Sequence, residues 1–443
     1  MLRALVAACL GLLVLLGPAP AQGASPLDKR AVERLVARFL EARPWSRFEA
    51  WDPAVRAAFL EEAAALELPD DAFGTVRDLL ARQARKAAPR WKEAMPTPYG
   101  EATWIAKGRG GPKAGFVVGL HGGGEGAGHA GEAAGNWPVP RHLCNYPQGV
   151  RLVSDTWNTV HGERFVLTLI DLAKARDQVD PDRVYVMGFS MGGTGSFHWG
   201  GRWPDLLAGA IPGHGVMMAE HVKQFRPEDV GVVQYGLVPN LRNLDMYLFT
   251  GEKDDHCEPG TFHRAWQMIQ ALREEDPTGY GGVTFTIYPG LGHAFGPGEP
   301  AKALEAILPK RRNAFPDTIT WEYALAPYPL PDAKDRTTRL PQRGLYWLEC
   351  LHPVDGMQVR ATKRREGDDL VIELSCVGAD PEDFAVLLNP TMRGDARRVR
   401  VRWEGHEIES VAPPSLAVML DTYDWRLDTT LLFDRRIRLD GGP

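Results

Sequence analysis

The stretch Asp180-Pro181-Asp182-Arg183-Val184-Tyr185-Val186-Met187-Gly188-Phe189-Ser190-Met191-Gly192-Gly193 decides the architecture. Val184 to Met187 is a short apolar run without polar alternation, the pattern of a strand buried on both faces. The small residues after Ser190 read as the start of a helix, so Ser190 stands on the turn between strand and helix. Glycines on both sides let the backbone bend there without a Cβ clash. A hydroxyl at such a turn is exposed at the C-terminal edge of a sheet, where a nucleophile can meet a carbonyl. A glycine-rich turn whose serine merely caps the next helix would explain the residues, but it does not require this order of strand, turn and helix.

Working outward, further short apolar runs occupy residues 116–120, 208–211, 246–249 and 283–288. Helical patterns lie between most of them, at residues 163–178, 193–203 and 261–275. Strands separated by helices imply right-handed crossovers and a mostly parallel sheet covered on both faces. This α/β domain spans residues 95–312. Before it, residues 22–94 read as short helices punctuated by Pro44, Pro53 and Pro69, a scaffold or a lid. After it, Pro316, Pro327, Pro329, Pro331 and Pro341 mark a linker over residues 313–344, and strand-like runs over 345–443 predict a small β-rich, sandwich-like module.

Three further signals fall at strand ends. His121-Gly122-Gly123-Gly124 follows the first run, and backbone N–H groups there, with that of Met191, suit an oxyanion hole in which His121, Gly122, Gly123 and Met191 take part. Thr250-Gly251-Glu252-Lys253-Asp254-Asp255 follows the fourth run and offers a carboxylate; Asp254 is preferred and Asp255 held in reserve. Pro289-Gly290-Leu291-Gly292-His293 follows the fifth and offers an imidazole. A hydroxyl nucleophile needs a general base, and the base needs an orienting acid, so the chain order Ser190, Asp254, His293 is the informative feature. Asp254, Asp255, His256, Cys257 and His263 also cluster in sequence, yet their spacing matches no recognised zinc pattern, and no metal site is assigned. Trp137, Trp157, Trp199 and Trp203 could line an aromatic pocket, but their spacing reads first as core.

With 51 Lys and Arg against 57 Asp and Glu, the chain of 443 residues carries a formal net charge of -6 and has no basic stripe for nucleic acid. Met1-Leu2-Arg3, an apolar run over residues 4–16 and the small residues up to Ala21 predict a signal peptide over residues 1–21 and a secreted or periplasmic protein. About 13 apolar residues fall short of the about 20 that a membrane span needs, so no integral membrane segment is expected. In an exported protein Cys144, Cys257, Cys350 and Cys376 can form disulfides; of the three possible pairings Cys350 with Cys376 is favoured, against four buried thiols.

The motifs around Ser190, Gly251-Glu252-Lys253-Asp254 and Gly290-Leu291-Gly292-His293 together resemble the secreted esterase branch of the α/β-hydrolase superfamily, with its feruloyl and acetylxylan esterases, polyhydroxybutyrate-depolymerase-like proteins and prolyl-oligopeptidase-like hydrolases. The resemblance covers residues 95–310. It implies an α/β-hydrolase fold, with Ser190 as nucleophile, His293 as base, Asp254 as acid, and the N–H groups of Met191 and the His121-Gly122 turn as oxyanion hole. It further implies a carboxylic ester hydrolase without cofactor, acting on a small-molecule or polymer ester: carbohydrate-linked, aromatic or a short polyester. A serine peptidase shares every one of these residues, and an inactive surface- or polymer-binding relative is the alternative from another class. Oligomeric state is not legible.

Overall fold

The computed structural model describes residues 27–123, 128–137, 139, 141–149, 156–217, 238–323, 340–410 and 412–442. The expected signal peptide lies outside them. Helices α1 (Lys29–Ala42), α2 (Pro53–Ala64) and α3 (Phe73–Ala87) open the described chain. Asp28 and Asp52 cap the first two by accepting from the free N–H groups of their first turns, and Pro53 starts α2 where no N–H is needed.

The α/β domain is built on an eight-stranded sheet. In chain order it contains β1 (Ala94–Thr97), β2 (Gly100–Lys107), β3 (Phe116–Leu120), α4 (Ala130–Asn136), β4 (Leu143–Pro147), α5 (Val160–Ala175), β5 (Val184–Phe189), α6 (Met191–Arg202), β6 (Gly209–Gly213), β7 (Met246–Gly251), α7 (Gly260–Glu275), β8 (Val283–Tyr288) and α8 (Glu299–Ile307). The strand order is β1-β2-β4-β3-β5-β6-β7-β8. β1 and β2 run antiparallel at one edge, and β4 through β8 pair in parallel. This is an α/β-hydrolase fold.

Alternate side chains of the central strands feed two separate cores. Phe116, Val118 and Leu120 of β3 with Val184 and Val186 of β5 pack under α5 and α6 against Phe165, Phe197 and Trp199. Val117, Tyr185 and Met187 point the other way, against Ala133 of α4 and Leu304 and Ile307 of α8. Burial on both faces is why these strands read as unbroken apolar runs. Trp137, Trp157 and Trp199 are fully buried and Trp203 nearly so, consistent with the core reading.

The C-terminal region comprises β9 (Thr318–Glu322), β10 (Gly344–Leu345), β11 (Leu348–Cys350), β12 (Gln358–Glu366), β13 (Asp369–Val377), β14 (Phe384–Leu388), α9 (Pro390–Arg393), β15 (Arg398–Trp403), β16 (His406–Ser410), α10 (Leu416–Arg426) and β17 (Arg435–Arg438). A four-stranded sheet β10-β11-β14-β17 faces a five-stranded sheet β16-β15-β13-β12-β9, and Leu348, Val386 and Ile437 of the first meet Val359, Ile372 and Val401 of the second in one core.

Three expectations need correction. Residues 318–322, expected in a linker, form strand β9, because Ile319 and Trp321 point inward and are buried as the strand pairs antiparallel with β12. The C-terminal module is not β-rich alone: α10 inserts Leu416, Met419, Leu420 and Tyr423 into the core of α1 to α3, so the two flanking segments pack as one unit. Cys350 and Cys376 are not joined to each other; Cys350 lies in the four-stranded sheet and Cys376 in the five-stranded one, where its thiol donates to the carbonyl of Ala379. Among the described residues no helix is long and apolar enough to cross a membrane.

Candidate active site

β5 delivers Ser190 to the sheet edge, and α6 begins at the next residue. Ser190 sits at φ 60° and ψ −125°, a strained conformation for a residue with a side chain. Its amide donates to the carbonyl of Gly213 at 2.9 Å, which ties the turn to β6. A Cβ on Gly188 would collide with the backbone of Gly192, and one on Gly192 would collide with the carbonyl of Leu120, so only glycine fits at either side of this turn.

His293 comes from the loop after β8, with Nε2 3.0 Å from Ser190 Oγ. Its Nδ1 lies 3.0 and 2.9 Å from the two carboxylate oxygens of Asp254, which follows β7. The carboxylate fixes the tautomer: Nδ1 carries the proton and Nε2 accepts from the serine hydroxyl. Asp254 is buried and also accepts from the backbone N–H groups of His256 and Cys257 at 3.0 and 2.8 Å. Burial works to raise its carboxyl, but the Cys257 amide and the two imidazoles that donate to it outweigh that and hold it below the usual carboxylate range. Asp255, the reserve candidate, points to solvent with its side chain 82% exposed and pairs with His256, so the structure brings Asp254 to His293 and leaves Asp255 outside. The His256 ring in turn stacks on that of His293, 4.8 Å between centroids.

The expected oxyanion-hole residues divide into two kinds. Gly122 lies against Ser190, its missing Cβ position 3.2 Å from Ser190 Cβ, and Met191 opens α6, where the first N–H groups have no partner within the helix. Gly123 follows with φ 83°. The His121 ring does another job. Gly149 N–H donates to its Nε2 at 3.2 Å, so Nδ1 carries the proton and donates to the carbonyl of Gly122 at 2.8 Å. Burial lowers its pKa and keeps the ring neutral for that pairing. The Trp157 indole donates to the carbonyl of His121 at 3.0 Å, so both carbonyls of this turn are held and the orientation of the Gly122 and Gly123 amides follows.

One residue of the site was not foreseen. His214, just past β6, is fully buried, and its Nδ1 donates to Asp254 Oδ2 at 2.7 Å. A single histidine between Gly213 and Gly215 carries no spacing signal; only its place at the end of a central strand hinted at the site. Phe189 packs against His214, His293 and Phe295 at centroid distances of 4.8, 4.9 and 4.4 Å. The ligand-capable atoms of His214, Asp254 and His293 lie within 4.8 Å of one another, but each imidazole spends its Nδ1 on the carboxylate as a hydrogen-bond donor.

Residues 144–307, a stretch that contains Ser190, Asp254 and His293, match the dienelactone hydrolase family. No curated protein matches the chain. Similar solved structures include a thermostable esterase at 20% identity, TM-score 0.35, over 49% of this chain and 62% of that one. Esterase PE8 is 18% identical, TM-score 0.32, over 47% of this chain and 99% of its own. The acetyl xylan esterase from Aspergillus awamori is 15% identical, TM-score 0.34, over 46% of this chain and 93% of its own. The chain thus spans less than two thirds of the thermostable esterase. What carries weight is the family match, which covers the central part of the chain and coincides with the sheet strands that carry Ser190, Asp254 and His293: over residues 144–307 the chain is similar to the dienelactone hydrolase family, and its α/β domain has the α/β-hydrolase fold.

Proposed function

We propose that the protein is a serine hydrolase that cleaves acyl esters through a covalent acyl-enzyme. The observation that carries this reading is the continuous relay from Ser190 Oγ to His293 Nε2 at 3.0 Å and from His293 Nδ1 to Asp254 Oδ2 at 2.9 Å, placed on a strained strand-to-helix turn. Ser190 Oγ attacks the ester carbonyl while His293 Nε2 takes its proton, and the imidazolium is stabilised by Asp254. The tetrahedral oxyanion is met by the N–H groups of Met191 and Gly122. On collapse the C–O bond to the alcohol breaks, and His293 returns the proton to the leaving oxygen. Water, deprotonated by His293, then attacks the acyl-enzyme and releases acid and Ser190.

The family match over residues 144–307 supports a hydrolase of this kind. Half-buried Phe189 beside His293, with Phe295 packed on it, favours an ester with an apolar or aromatic part; carbohydrate-linked, aromatic and short polyester substrates follow from the resemblance to secreted esterases. Export to the periplasm or beyond rests on the leader-like residues 1–21. Purified protein and its Ser190→Ala variant, assayed on a short-chain nitrophenyl ester, test the reading. Turnover with an acyl-enzyme burst in the parent, and a loss on the order of a millionfold in kcat in the variant, is expected. Equal rates in the two proteins would end it, and turnover of a chromogenic peptide with no ester cleaved would replace the esterase by a peptidase.

A further inference from the structure

The Asp254 carboxylate is held at both oxygens without help from His293. Oδ1 accepts from the backbone N–H groups of His256 and Cys257, and Oδ2 accepts from His214 Nδ1 at 2.7 Å, a shorter contact than the 2.9 Å from His293 to the same oxygen. With one oxygen anchored by the backbone and the other by a buried ring, the carboxylate plane cannot turn about its Cβ–Cγ bond when the charge on His293 changes. His214 is itself fixed: its amide donates to the carbonyl of Phe249 at 2.9 Å, and its ring lies between Phe189 and Phe249. It also occupies φ 48°, a left-handed conformation that asparagine and histidine adopt more readily than most residues with a side chain.

We infer that His214 is a positioning residue for the hydrolysis proposed above, a second imidazole that locks the Asp254 carboxylate in plane for His293 and shares its negative charge. The inference rests on the reading of Ser190, His293 and Asp254 as the reacting relay. His214 is well placed to do this without competing. Burial lowers its pKa more than the neighbouring carboxylate restores it, so the ring donates one proton and brings no positive charge of its own. By donating to Oδ2 it takes up part of the negative charge that Asp254 would otherwise present to His293 alone. The titratable groups around the pair are Asp254 from the β7 loop, His293 from the β8 loop, His256 stacked on His293, and Asp255 paired with His256.

Two variants of the full chain separate positioning from packing. His214→Phe keeps an aromatic ring and removes the donor. His214→Asn keeps a donor nitrogen on Cγ, where Nδ1 stands, and tolerates the backbone conformation. The expected result for His214→Phe is a fall in kcat on the order of tenfold to a hundredfold with KM unchanged, and a shift of the acid limb of the kcat/KM profile to higher pH; His214→Asn recovers most of both. A folded His214→Phe protein with parental kcat and pH profile, or His214→Asn no better than His214→Phe, overturns the inference. Proton spectra of the protein with isotope-labelled histidine give a readout independent of turnover and of the folding of the phenylalanine variant. Two strongly downfield imidazole N–H signals are expected in the parent and one in His214→Asn; a single such signal in the parent overturns the inference. Failure of the hydrolase reading looks different, as absence of any Ser190-dependent turnover with both signals still present.

Discussion

The turn around Ser190 and the seam between the α/β domain and its flanking unit are held by different contacts, although both units have apolar cores. Around Ser190, order comes from apolar strands and from backbones so close that side chains are excluded at Gly188 and Gly192. The flanking unit, made of α1 to α3 and the C-terminal region, is joined to the domain by buried ion pairs. Asp428 accepts from Arg312 at 2.9 Å and from Lys174 at 3.0 Å, and Asp205 from Arg426 at 2.8 Å, with all of these side chains almost wholly buried. Asp171 of α5 likewise pairs with the flanking residues Arg43 at 3.6 Å, where both side chains are buried, and Arg47 at 2.7 Å, where the arginine is partly exposed. Apolar packing tolerates partial loss, whereas a buried charge that loses its partner is left desolvated and uncompensated. The flanks are therefore structural parts of the hydrolase domain rather than detachable tails, and chemistry and cohesion should respond to different substitutions.

The largest effect separates the neighbours Asp254 and Asp255. Asp254→Asn is expected to lower kcat on the order of 10⁴-fold, because an amide no longer fixes the His293 tautomer. Asp255→Asn, on an exposed side chain, keeps both kcat and stability, the latter within about 0.5 kcal/mol. Equal losses in the two variants would mean that the pair acts together and would undo the assignment.

Asp428→Asn reverses that pattern. Arg312 and Lys174 would be left buried with their partner's charge removed, and denaturant unfolding is expected to show a loss of about 3 to 5 kcal/mol while the folded fraction keeps its parental kcat. A normal unfolding midpoint would show that the flanking unit adds nothing to the stability of the domain.

The smallest effect is a pH dependence. Burial would raise the carboxyl of Glu163, but Arg202, His198 and the Leu340 amide overcome it and hold it at about 2. A carboxyl depressed in the folded state stabilises the fold above its unfolded value of about 4.3, and that contribution is lost as pH falls toward 2. Denaturation midpoints are thus expected to be flat near neutrality and to fall below about pH 5, with a shallower fall in Glu163→Gln. An identical slope in that variant would place the acid sensitivity elsewhere.

The parts of the site that were legible are those with local signatures. The turn at Ser190 and the loops carrying Asp254 and His293 each follow an unbroken apolar run and contain glycine, a combination that depends only on neighbouring residues. β1, β2 and β4 went unread because the edge strand Ala94–Thr97 is only four residues long, Gly100–Lys107 alternates with polar residues and Leu143–Pro147 contains Asn145 and Pro147. β9 was hidden among prolines, and α10 among strands, since each gains its stability from a distant partner: β12 for one, and the helices α1 to α3 for the other.

By itself the sequence determined that Ser190, Asp254 and His293 would stand in that order at the ends of parallel strands, because strand periodicity and glycine turns are short-range properties. Only the tertiary structure decided which of two adjacent aspartates turns inward, that His121 braces its own loop, that His214 shares the Asp254 carboxylate, and that Cys350 and Cys376 stay apart in separate sheets. Those outcomes depend on which backbones and side chains meet across long stretches of chain, and identical residue types can end in solvent or in the core according to contacts that no local pattern encodes.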